Sequence, residues 1–125
     1  MTFFIMKIAT LTFQRALNYG AILQCYSLQK TIKDLGYDSE VLDYDCKMIS
    51  KGYKILITDS LAAFIKSLLF FPMFYKKKQN FASFIKRFIS VSKEVSYPEL
   101  ANASSDYDAV ITGSDQVWNY KLTGS

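Results

Sequence analysis

The residue types best suited to chemistry fall in two short loops. One is Gly113-Ser114-Asp115-Gln116, which follows the apolar, β-branched run Ala109 to Thr112. A polar loop at the carboxyl end of a buried strand is where open α/β sheets hold their ligands. Asp115 can accept a sugar hydroxyl, or act as a base where burial raises its pKa. Gln116 can both donate and accept. The same residues are also explained if Ser114 and Asp115 cap a following helix with Trp118 packed beneath. The other loop is Asn18-Tyr19-Gly20, at the head of a helical pattern. Free N–H groups and the positive dipole end make a helix start receptive to phosphate or carboxylate. Gly20 allows a close approach, and Arg15 offers a charge-assisted hydrogen bond to an anion. The plainer alternative is that Asn18 caps the helix and Gly20 eases the turn.

Several other chemistries find no support. One glycine in the first loop is neither a dinucleotide fingerprint nor a P-loop. Asp43 stands roughly where a ribose-binding acid would, but without the glycines it reads, like Asp45, as a solvated strand-end acid. The two cysteines, Cys25 and Cys46, lack Cys-x-x-Cys spacing, which argues against a disulfide framework or a zinc site and fits a reducing compartment. Cys25 is expected as a small core residue. No metal and no cofactor is expected. The chain has no histidine, so no imidazole base is at hand, and no catalytic residue is assigned.

These loops need elements to hold them. Ile5 to Phe13 reads as a first strand and Ala21 to Leu35 as a helix, with Cys25, Leu28, Ile32 and Leu35 as its apolar stripe and Gly36 as its stop. Ser39 to Tyr44 reads as a second strand. Strand, helix, strand within ~40 residues is a βαβ unit with a right-handed crossover. From Met48 to Val95 the alternation lapses into a helical insertion. Ile55 to Phe71 is expected to be helical and to end at Pro72. Phe81, Phe84, Ile85, Phe88 and Ile89 then mark an amphipathic helix capped by Asn80. Ser96-Tyr-Pro-Glu99 has capping-box spacing and opens a short helix to about Ala103. Ala109 to Thr112 resumes the sheet as a buried strand beside the first.

At 125 residues and 50% hydrophobic content the chain can bury a core. Its net charge of +4 is uneven, because the segment from Lys66 to Lys93 carries seven basic residues and no acidic one. Such a run can attract anions or be a solvated helical face. Its aromatics fall at helical spacing, so nucleic acid is not expected as a partner. Leu61 to Tyr75 is strongly apolar but too short to span a bilayer, and Lys66 and Pro72 interrupt it. Peripheral membrane contact through residues 61–93 is compatible with this pattern. The first residues do not resemble a signal peptide, and Met6 offers an alternative start.

Thr12-Phe13, Asn18-Tyr19-Gly20-Ala21, Leu23-Gln24 and Gly113-Ser114-Asp115-Gln116-Val117-Trp118-Asn119 together resemble the amino-terminal part of the polysaccharide pyruvyl transferase family. The order agrees: Leu35-Gly36-Tyr37 precedes the second strand, and Tyr107-Asp108 precedes the strand leading to Gly113. The likeness covers the ends of the chain well and Met48 to Val95 poorly.

The resemblance implies an incomplete Rossmann-like parallel sheet, the first half of a two-domain GT-B-like transferase. It implies transfer of a pyruvyl ketal group from phosphoenolpyruvate to a glycan or lipid-linked sugar, in the cytoplasm or at the inner face of the cell membrane. Asn18, Tyr19, Gly20, Gly113, Ser114, Asp115 and Gln116 would line the cleft, with Arg15 as an anion contact. The general acid and the donor-binding basic residues are expected in a carboxyl-terminal domain that these residues do not include. On that reading the chain is a truncated or incompletely predicted product, inactive alone. The alternatives are a binding module or half-enzyme that needs a partner, and a Rossmann-like glycosyltransferase using a nucleotide sugar.

Overall fold

The computed structural model describes residues 5–44 and 59–113. Four strands, β1 (Lys7–Leu11), β2 (Asp38–Tyr44), β3 (Val91–Val95) and β4 (Ala109–Thr112), form one all-parallel sheet in the order β3-β2-β1-β4. The helices are α1 (Tyr19–Asp34), α2 (Leu61–Phe88) and α3 (Leu100–Ser104), the last preceded by a 3-10 turn at Tyr97–Glu99. This is an incomplete Rossmann-like α/β fold, with β1 beside β4 as the sequence suggests.

The insertion expected over 48–95 is resolved differently. β3 lies within that span and pairs with β2, so α2 is the crossover between two neighbouring strands. The five-residue strand was hidden because Val-Ser-Lys-Glu-Val is polar and its register is broken by an irregularity between the partners of Val41 and Asp43. Pro72 does not end a helix either. α2 runs 28 residues straight through it. The proline removes one N–H, but its position is exposed, where water can answer the freed carbonyl. Asn80 is therefore interior. The cap is Ser60, whose side chain accepts from the Ala63 N–H at 3.2 Å.

α1 and the second half of α2 cover one face of the sheet. Cys25 of α1, Val41 of β2 and Ile89 pack into one cluster, with Tyr26, Phe84 and Ile85 against it. The inward stripe of α1 is Ile22, Cys25, Gln29 and Ile32, while Leu35 is 69% exposed at the C-cap. Gln29 turns inward because its amide answers three backbone groups: it donates to the Ser39 and Ser90 carbonyls and accepts from the Ser90 N–H. Gly36 stops the helix as expected, with φ of 90° and the Tyr37 N–H returning to the Ile32 carbonyl at 3.3 Å. The 3-10 turn and α3 lie across the other face, where Tyr97, Leu100 and Ala101 border an open apolar hollow floored by Leu11, Leu42 and Val110. β4 is an edge strand and is half exposed rather than buried, with Val110 at 41% and Ile111 at 36%. Periodicity alone cannot distinguish an apolar edge strand from a central one.

Candidate functional site

The chain leaves β1 in both directions. Towards β2 it crosses by α1 on one face, and β4 is reached by α3 on the other. The carboxyl ends of β1 and β4 therefore border the topological switch point, where open α/β sheets form their ligand crevice. The loop after β1 and Gly113 meet there. The Gly113 N–H donates to the Leu11 carbonyl at 3.0 Å, and its own carbonyl accepts from the Gln24 side chain. A Cβ at Gly113 would stand 3.5 Å from Thr12 and 3.5 Å from Leu28. Ser114, Asp115 and Gln116, like Cys46 and Asp45, lie outside the described residues.

Asn18 caps α1. Its Oδ1 accepts from the Gly20 N–H at 2.8 Å and the Ala21 N–H at 3.4 Å, satisfying two of the helix's orphan donors. Gly20 eases this geometry, since a Cβ there would lie 3.2 Å from the cap oxygen and would push it by a few tenths of an ångström. The capping alternative is thus realised, and those two N–H groups already have an anion-like acceptor. Tyr19, at the same helix start, stays 67% exposed. Its ring rests on Phe81 at 4.8 Å, with the Lys77 ammonium 5.7 Å from its centroid.

Arg15 is engaged within the fold. Nε and Nη2 reach the two oxygens of Asp43 at 2.7 and 2.8 Å, a bidentate fork, and Nη2 also reaches Glu94 at 2.7 Å. Asp43 and Glu94 are register partners on β2 and β3. Two carboxylates directly opposite repel, and the guanidinium bridges them. The Asp43 hydrogen bond, opposed by burial and helped by Glu94, raises the Arg15 pKa above its ordinary value. Asp43 is therefore not the solvated acid that the sequence suggested. It also accepts from Gln14 Nε2 at 2.9 Å, which reaches the Leu42 carbonyl as well.

The sequence assigned no role to Gln14, and Thr12 entered only as part of the family resemblance. Both are almost wholly buried just after β1, and among the described residues Gln14 Oε1 and Thr12 Oγ1 have no hydrogen-bond partner. Two polar side chains directly after an apolar strand were the available signal. Among the described residues no group of three acidic, cysteine or histidine side chains could hold a metal ion.

The carboxyl-end side of the sheet thus carries a capped helix start, an exposed tyrosine flanked by a lysine, an arginine that bridges β2 and β3, and two buried polar side chains after β1. The sequence model of the polysaccharide pyruvyl transferase family matches residues 18–125, most of the chain and both loops. The chain belongs to that family. Neither a curated protein nor a solved structure matches it. Among the described residues no helix is long and apolar enough to cross a membrane.

Proposed function

We propose that this chain forms the first Rossmann-like half of a two-domain, GT-B-like enzyme that works in the cytoplasm. The enzyme transfers a pyruvyl group from phosphoenolpyruvate to a sugar of a surface polysaccharide. The observation that carries the reading is the family match over 18–125, which spans both crevice loops. In the reaction two sugar hydroxyl oxygens bond to C2 of phosphoenolpyruvate. One of their protons ends on the methylene carbon and the other on the departing phosphate. A crevice for this chemistry must hold and orient a diol, which suits Asp115, Gln116 and the Tyr19 hydroxyl. Arginine and lysine groups suit the anionic donor. Here Lys77 is the nearer candidate, since the fork of Arg15 is engaged by Asp43 and Glu94.

Complementation tests this. A host deleted for the gene regains pyruvate ketal on its polysaccharide, measured as acid-released pyruvate, with the wild-type gene. Asp115→Ala is expected to lower that yield at least ~100-fold, the scale of losing an oriented polar contact at a reacting centre. Full ketal content with Asp115→Ala and with Asn18→Ala would refute the site. Release of a nucleoside diphosphate in place of phosphate would identify a nucleotide-sugar transferase.

A further inference from the structure

The first half of α2 is apolar on two opposed sides. Ala63, Ser67 and Phe71, spaced i, i+4, i+8, are partly or wholly covered, Ser67 to 6% exposure. Roughly opposite, at 100° per residue, lie Leu61, Ile65, Leu68 and Leu69, which are between 51% and 76% exposed. A helix that carries this much apolar surface away from its own core has a partner medium.

The position of this half is set by the other half. α2 runs parallel to α1, since Tyr19 meets Phe81 and Tyr26 meets Phe84 and Phe88 further along both helices. Residues 61–76 therefore run on past the start of α1, on the side of the sheet's carboxyl ends, for about 24 Å. No acidic residue occurs from Leu61 to Lys93, and Lys66, Lys76, Lys77 and Lys78 all lie on or just beyond the projecting turns. Phe74 and Tyr75, half exposed, stand between the leucine stripe and the lysine triplet.

We propose that this projection docks the protein on an anionic bilayer. Leu61, Ile65, Leu68 and Leu69 enter the boundary between headgroups and acyl chains, and Lys66, Lys76 and Lys78 meet the lipid phosphates. Charge decides between occupants. A second copy placed on the stripe would bring both sets of lysines together with only Asp59, before the helix, to offset them, whereas an anionic lipid surface neutralises them. The helix lies on the bilayer and does not cross it: its fifteen-residue apolar run spans about 22 Å, short of a ~30 Å hydrocarbon core, and it carries Lys66. Docking this way sets the carboxyl-end crevice beside the lipid, because Lys77, the residue directly after the projection, stands 5.7 Å from the Tyr19 ring at the start of α1. The inference holds whatever reaction the crevice performs.

Flotation of the intact chain with vesicles tests it. The protein should float with vesicles of phosphatidylglycerol and phosphatidylcholine at low salt, fail to float with phosphatidylcholine alone, and be released as salt rises. Lys76→Gln with Lys78→Gln should weaken binding roughly 25-fold, about fivefold per lysine. Leu61→Asp with Leu69→Asp should abolish it while far-UV circular dichroism stays unchanged, since both side chains are about three-quarters exposed. Absence of flotation with either vesicle, or equal flotation with both, would overturn the proposal on the wild-type chain alone. So would a dimer in sedimentation velocity that Leu61→Asp with Leu69→Asp dissociates.

Discussion

The two halves of α2 are built from similar residues and meet opposite fates. Residues 61–75 are richer in large apolar side chains, yet Leu61, Leu68 and Leu69 face outward. In residues 81–88, followed by Ile89, Phe81 meets Tyr19, Phe84 and Phe88 meet Tyr26 edge-on, and Ile89 is buried against Cys25 and Val41. Hydrophobicity alone did not decide which half joined the core. The difference lies in what runs alongside. The second half has α1 and the β2–β3 edge beside it, and the first half has passed the end of both. Apolar content states how much surface needs a partner, while topology states where the partner is.

The largest test of that contrast is a matched pair of truncations. Ile89→Ala removes a side chain only 6% exposed from the α1–sheet seam. It should cost about 2–5 kcal/mol in chemical denaturation. Leu69→Ala deletes similar apolar volume from a residue 74% exposed and should stay within about 0.5 kcal/mol. Equal losses would mean that the first half contributes to the same core.

Gln29 sharpens the same seam from its polar side. Its amide ties α1 to β2 and to the turn between α2 and β3 through the Ser39 carbonyl and both backbone groups of Ser90. Gln29→Ala leaves the Ser90 N–H without its side-chain acceptor and strips one donor from each carbonyl, the Ser90 carbonyl keeping the Val41 N–H at 2.8 Å, at about 1–3 kcal/mol. Gln29→Glu should also destabilise, because a carboxylate cannot donate to the two carbonyls. A loss confined to Gln29→Glu would show that water replaces the amide.

Much of this was legible before the fold was known, and the failures have physical causes. β1 and β4 announce themselves as apolar runs, β2 follows directly on the Gly36 stop, and Asn18 and Gly36 bracket α1 by side-chain capping and positive φ, which are local properties. β3 was hidden because a polar, irregular edge strand satisfies no simple period. Pro72 was misread as a stop because its cost depends on whether water can reach the freed carbonyl, a tertiary fact. In the crevice the cap was legible. The Arg15 fork was not, because its partners Asp43 and Glu94 lie 28 and 79 residues away and are brought together only by parallel register. The inward turn of Gln29 likewise depends on Ser90, 61 residues distant.

The smallest effect is electrostatic and sits at the amino end of the sheet, far from both halves of α2. Burial pushes the Glu40 carboxyl up, but the Tyr107 hydroxyl at 2.8 Å and Lys7 at 3.1 Å outweigh it and hold the pKa below its ordinary 4.5. The folded chain therefore binds fewer protons at Glu40 than the unfolded chain does in the acid range. The stability this adds is fully present above about pH 4.5 and is lost as the pH falls through the lower folded value. Lys7 is largely in solvent, so screening keeps the contribution below ~1 kcal/mol. Glu40→Gln keeps an acceptor for Tyr107 and removes the titration. Denaturation midpoints taken from pH 6 to pH 3 should fall less steeply for the variant than for the wild type, and the gap should narrow in 1 M salt. Parallel slopes would mean that the acid sensitivity comes from other carboxylates.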